Sequence, residues 1–348
     1  MILGGLTKAG RDSWLCLLFS QAAAVPALLA EARLLNLYPG KDLFGILEAV
    51  FGRTVGKIAT ALLVWYAVQL CAMALRTYSE FVEIVAMPET PELPLLILLL
   101  LVGVYLAKCG IGVLGKWSVG VICFAIFILL LTSLLLFNQM DFRNVLPVLD
   151  NDAQTLLLST YGQFSMPLGE SVLILSIADC LPEKPRSGRL LFGGSVLATL
   201  ILFWMMLRNL TALGPALMQL EYFPSYGAAR IIHVSDFLAR IEGTISTNFI
   251  LFGVTRITVC LLAASRGIDS LFGLKGRGTM ILPAALVSLA LSVVLADSVM
   301  ELVRFRDVYP LYAVPFQVVI PLAAWVCGEI RAARRRPRRP AGQNAVKS

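Results

Sequence analysis

Long apolar stretches separated by short polar connections run from residue 13 to residue 330. Nine can be drawn, at about 13–36, 57–84, 93–107, 114–137, 155–180, 189–213, 244–264, 279–296 and 310–330. A bilayer span takes about 20 apolar residues, so these lengths predict membrane-spanning helices. Residues 1–330 then form one transmembrane domain and residues 331–348 a basic tail. The expected fold is an all-α polytopic membrane protein. Composition agrees: of 348 residues, 58% are hydrophobic and 15% charged, with a mean hydropathy of +0.81. Soluble domains carry roughly 25% charged residues. An ordinary cytosolic enzyme is excluded, and no length remains for a separate soluble domain.

The charges set an orientation. Connections 37–57, 107–116, 181–189 and 265–278 hold eleven Lys/Arg, and the tail adds seven. The alternate connections hold seven, diluted by Asp and Glu. The positive-inside rule puts the richer side, and the carboxyl terminus, in the cytoplasm. The run from Arg331 to Arg339 follows an apolar stretch directly, so anionic lipid rather than nucleic acid is its expected partner. The net charge of +7 needs no other account.

Catalytic signatures are missing. The seven cysteines are scattered with no CxxC pair, and the single histidine, His233, cannot build a metal centre. Neither a GxGxxG, a P-loop nor a GxSxG motif occurs. No catalytic residue, metal or cofactor is therefore assigned.

One apolar stretch is built to break. Between Thr155 and Cys180 runs Tyr161-Gly162-Gln163-Phe164-Ser165-Met166-Pro167-Leu168-Gly169-Glu170-Ser171. Proline removes a donor and clashes with the preceding turn, while glycine tolerates unwound backbone. Either a plain proline kink results, or two half-helices, the second starting near Ser171. A half-helix would aim free N–H groups and a positive dipole end at an anion. Glu170 lies mid-membrane, where an ionisable group is costly. It is either a ligand-site residue or a structural carboxyl, and Arg256 is the candidate partner. Asp179 and Arg208 fall near span ends, where snorkelling accounts for them.

Other polar positions carry two readings each. Arg76 and Glu80 stand at i, i+4, as in a helix-surface ion pair. Tyr66 and Gln69 either face a polar cavity or bond between helices. The hydroxyls among Thr244 to Thr258 return to their own helix carbonyls or line a path. The connection 214–243, with an amphipathic stretch from Val234 to Glu242, reads as short helices lying over one face.

Several of these stretches carry a family resemblance. Ala9-Gly10-Arg11-Asp12-Ser13-Trp14-Leu15, Leu75-Arg76-Thr77-Tyr78-Ser79-Glu80-Phe81, Met87-Pro88-Glu89-Thr90-Pro91, Asn144-Val145-Leu146-Pro147 and Tyr222-Phe223-Pro224-Ser225-Tyr226 occur in order along the chain. Together with Ala229-Arg230 and Asp236-Phe237, they resemble spore germinant-receptor B subunits. These form the GerAB-like branch of the amino acid–polyamine–organocation transporter superfamily.

The resemblance implies a transporter-like bundle of five-plus-five inverted repeats, with discontinuous first and sixth helices. Segment 155–180 would be the sixth helix, 57–84 the third and 244–264 the eighth. It further implies a spore inner-membrane receptor, not an enzyme, that binds a small nutrient, typically an amino acid, beside A-type and C-type subunits. Backbone groups around Pro167, Leu168, Gly169 and Glu170 would take the ligand carboxylate, and Tyr66, Leu70 and Thr255 would shape the wall. An ion-coupled amino-acid permease is the alternative, and a degraded paralogue a third reading. The chain departs from the family at its start: only Ile2 to Leu6 represent a first span. The expectation is nine spans here, with most of a tenth encoded upstream.

Overall fold

The computed structural model describes residues 9–180, 186–231, 241–274, 278–295 and 299–335. Residues 1–8, most of the amphipathic stretch 234–242 and the tail beyond Arg335 lie outside them. The described residues form α1 (Ser13–Leu37), α2 (Leu43–Phe51), α3 (Arg53–Val85), α4 (Glu92–Lys108), α5 (Ile111–Leu136) and α6 (Ala153–Ser165). A 3₁₀ segment (Leu168–Cys180) follows, then α7 (Arg186–Leu220), α8 (Pro224–Arg230), α9 (Ile241–Phe272), α10 (Ile281–Val294), α11 (Val299–Val314) and α12 (Ile320–Arg335). No strand occurs among the described residues. Six helical stretches are long and apolar enough to cross a membrane: Gly10–Leu37, Arg53–Val85, Ile111–Gln139, Gly188–Leu220, Gly243–Phe272 and Asp307–Arg334. The remaining apolar stretches fall on α4, α10 and the split pair of α6 and the 3₁₀ segment. The chain is an all-α polytopic membrane protein.

Connection 37–57 is not the plain loop its charges suggested. Asp42 caps α2 by accepting from the Gly45 N–H at 2.9 Å. Leu43, Phe44, Ile46, Leu47 and Val50 of α2 are buried in the main core. Connection ends that the charge pattern assigns to one side also meet. Arg33 pairs with Glu329, Arg331 donates to the Ala49 carbonyl, Lys57 to the Leu271 carbonyl, and Arg266 pairs with Asp179. On the other side, the Asp12 carboxylate accepts from the Leu149 and Asn151 N–H groups and from the Asn151 carboxamide. There too, Asp152 caps α6. The Thr155 hydroxyl and N–H hold its carboxyl below the usual range. A lowered value means the cap contributes at neutral pH and is lost as pH falls through the carboxylate range.

The packing centre is α3 against α9, with α4 and α10 alongside. Membrane helices gain little from the hydrophobic effect between them, so close approach at small residues carries the contact. A Cβ on Gly267 would collide with Val64 and with Phe44, and one on Gly253 would meet the Tyr78 ring at 2.6 Å. Gly267→Ala is therefore expected to destabilise by about 1–3 kcal/mol through overpacking. The control is Gly112→Ala, where nothing lies within 4 Å. Thermal unfolding of the purified chain in detergent checks this: Gly267→Ala lowers the midpoint and Gly112→Ala leaves it in place.

Candidate functional site: a cavity at the broken helix

The helix breaks where the proline and glycine chemistry requires. α6 ends at Ser165, Met166 is extended (φ −137°, ψ 101°), and the Met166–Pro167 peptide is cis. The next turn starts at Leu168, three residues before the expected Ser171, and winds as 3₁₀ helix. Backbone freed inside a membrane needs an internal partner. Here it comes from Gln317, whose Nε2 donates to the Ser165 carbonyl at 2.8 Å and to the Tyr66 hydroxyl at 2.7 Å. Ser165 Oγ returns a bond to Gln317 Oε1 at 3.2 Å. The Tyr66 and Tyr309 hydroxyls are 2.9 Å apart, and Tyr66 stacks on Phe316. Gln317 sits in a π turn, Pro315–Val319, between α11 and α12. π turns are rare and cluster at functional sites. This one re-aims the last span so that its carboxamide reaches the break.

Beside the break lies a cavity of about 420 Å³, within the range of small-ligand pockets. Its walls are Met166, Pro167 and Glu170 from the break, Met73 and Tyr78 from α3, and residues of α5, α7 and α9. Glu170 is paired with Arg256 at 2.5 Å, both lining the cavity. The partner expected from sequence is therefore the partner found. An aromatic cluster closes one side: Phe81 lies 4.3 Å from Phe249 and 4.9 Å from Phe223, centroid to centroid, and Tyr78 lies 4.7 Å from Phe249. The sequence stretches around Tyr78 and Phe223 thus meet at this cavity, 140 or more residues apart along the chain.

The candidate residues separate. Pro167 and Glu170 line the cavity. Leu168 and Gly169 are buried behind it, and a Cβ on Gly169 would collide with the Gln317 carboxamide. Tyr66 belongs to the network holding the break. Leu70 is fully buried in the main core. Thr255 accepts from Trp117 Nε1 at 3.0 Å and donates to the Leu251 carbonyl. Thr247 and Thr258 likewise return bonds to their own helix. The α3 residues on the cavity wall, Met73, Thr77, Tyr78 and Phe81, begin nearly one turn beyond Leu70.

Two sequence readings are corrected. Arg208 does not snorkel: it is 4% exposed, lines the cavity, and donates to Thr132 and Asn209. Its nearness to the end of an apolar stretch concealed that Thr132 of α5 and the neighbouring Asn209 hold it inside the bundle. The Arg76–Glu80 pair forms at 3.0 Å, yet it is buried, with Glu92 as a further partner of Arg76. Sequence reading also passed over Gln317 and Glu31. Glu31 on α1 is 1% exposed and accepts from the Ser171 hydroxyl. A lone acid within an apolar stretch was the available signal.

Comparison with known proteins agrees with this architecture. The family described as spore germination protein (Spore_permease) matches residues 2–298. The chain belongs to the spore germination protein family. It is 26% identical over 335 residues to spore germination protein KB of Bacillus subtilis (strain 168), spanning 94% of this chain and 90% of that one. It is 22% identical over 324 residues to the putative spore germination protein YfkT of the same organism, covering 92% and 88%. Spore germination protein GerQB of Bacillus cereus matches at 22% over 274 residues, 77% of this chain and 73% of that relative.

Removing one partner of a buried ion pair leaves the other charge uncompensated. Glu170→Gln is thus expected to cost about 3 kcal/mol, the low end for such pairs because both side chains keep some exposure to the cavity. Replacing both partners, Glu170→Gln with Arg256→Met, is expected to recover most of that loss. Unfolding midpoints of the single and double variants measure it.

Proposed function

We propose that this spore germination protein is the B-type subunit of a nutrient germinant receptor. It binds a small amino acid in the cavity beside Pro167 and Glu170 and passes the bound state to A-type and C-type subunits. The observation that carries this reading is the cavity itself, walled by an interrupted helix and floored by the Glu170–Arg256 pair. Interrupted helices form substrate sites in transporter folds, where irregular backbone lines a cavity. The relatives, spore germination proteins KB and GerQB, support a role in germination. On this reading the protein is a receptor subunit rather than an enzyme, and its basic tail faces the cytoplasm.

An ion-coupled permease is the second reading, favoured by Glu31. This carboxyl is buried against the broken segment through Ser171, a placement suited to carrying a proton. Fold does not separate sensor from permease; flux does.

Ala198, an exposed residue of α7, lines the cavity. Ala198→Trp is expected to fill it and to raise the nutrient concentration for half-maximal germination at least ~10-fold, a loss of about 1.4 kcal/mol of binding. Spore yield stays normal. An unchanged dose response in these spores rejects the cavity as the germinant site. Accumulation of labelled amino acid in vesicles, abolished by Glu31→Gln, favours the permease instead.

A further inference from the structure

The charges around the cavity do not balance. Glu170 neutralises Arg256. Arg208, at another part of the wall, meets no carboxylate among the described residues. Its Nε and Nη2 both donate to the Asn209 carboxamide oxygen, at 3.2 and 2.7 Å, and its Nη1 donates to Thr132 Oγ1 at 2.5 Å. Guanidinium carries five N–H donors, so one on each terminal nitrogen stays uncommitted. Asn209 is itself fixed by donating to the Ser225 hydroxyl at 2.9 Å. The arginine is thus held in place from three elements, α5, α7 and α8, while no carboxylate among the described residues balances its charge.

Besides Arg256 Nε, one further buried polar atom lining the cavity has no partner among the described residues. The Asn248 carboxamide oxygen is buried with no hydrogen-bond partner. Apolar residues of α7 and α9, including Ile201, Leu202, Met205 and Phe252, form much of the wall. Arginine does not deprotonate in proteins, and a buried cation without a counter-charge is costly. A bound anion supplies what the fold withholds, and two free N–H groups on one guanidinium suit the two oxygens of a carboxylate.

We propose that Arg208 is the carboxylate anchor of the cavity, with Asn248 receiving the ligand's ammonium group, so that the site takes an α-amino acid with an apolar side chain. This rests on the amino-acid reading above but moves the anion site from the half-helix backbone to α7. It also explains why α8 carries a polar Ser225 amid aromatic neighbours: that hydroxyl orients the amide that orients the arginine.

The test uses the full chain in discs of phosphatidylcholine alone, which excludes an anionic lipid as occupant. Binding of apolar amino acids from alanine to phenylalanine is measured by ligand-induced thermal shift. The tightest of them is compared with its amide, which lacks the anion, and with its deaminated acid, which lacks the ammonium. Wild type is expected to bind the amide about 10- to 100-fold more weakly, the loss of a charge-assisted hydrogen-bonded contact. Arg208→Gln is expected to bind the acid no better than the amide. Arg208→Lys, which keeps the charge without the fork, falls between. Asn248→Leu erases the preference for the amino acid over its deaminated acid. If wild type binds amide and amino acid equally, the Arg208 anchor is overturned while the amino-acid reading stands. If the deaminated acid binds as tightly as the amino acid, the anchor stands and the amino-acid reading falls. If no amino acid in the series binds, both fall. The amide comparison needs no variant, so misfolding of Arg208→Gln leaves the question answerable.

Discussion

A helix broken inside a bilayer exposes backbone that water cannot reach, and the protein must supply the missing partners itself. At Ser165 that partner is the Gln317 carboxamide. The same side chain bonds Tyr66 on α3 and packs against Gly169 beyond the break. One residue thereby ties together the interrupted helix, the packing centre and the last span. The π turn at Pro315–Val319 exists in this context: it turns Gln317 toward a carbonyl that would otherwise be orphaned. With the break held in this way, Pro167 and Glu170 present a stable wall, and the cavity has a defined floor.

The cavity divides its charges unequally. Glu170 and Arg256 neutralise each other across the break and α9, which makes them a tie between elements. Among the described residues Arg208 is held by neutral groups alone, and it lines the cavity. Apolar walls around a charged group raise the strength of every electrostatic contact made there. The aromatic cluster of Tyr78, Phe81, Phe223 and Phe249 closes one side and brings α3, α8 and α9 together. A change at α8 thus reaches both the aromatic wall and, through Ser225 and Asn209, the arginine.

The break at Pro167 was legible because its cause is local: proline lacks a donor and glycine tolerates unwinding, whatever surrounds them. The Glu170–Arg256 pair was legible because deeply placed opposite charges in an apolar chain have few other partners. Arg208 was misread because a position near a span end does not reveal which way the side chain turns; here it turns inward, onto Thr132 of α5. Gln317 left no mark in the sequence, since a single Gln in an apolar helix is unremarkable until the orphan carbonyl it serves is placed beside it. Tyr66, Leu70 and Thr255 lay on the right helices but not on the wall. The rotation of a buried helix depends on its neighbours, and nearly the whole circumference of α3 along this stretch is buried.

The sequence by itself determined the class of protein, the helical stretches and the site of the break. Each follows from hydrophobic length, charge distribution or backbone chemistry, properties that act over a few residues. Only the tertiary structure decided which faces of α3, α7 and α9 meet, and hence where the cavity lies and which polar atoms around it lack partners. Those outcomes depend on close approach between helices distant in sequence, set by glycine contacts such as Gly253 on Tyr78. Apolar patterning constrains such contacts weakly in a lipid environment, where nearly every face of a helix is apolar.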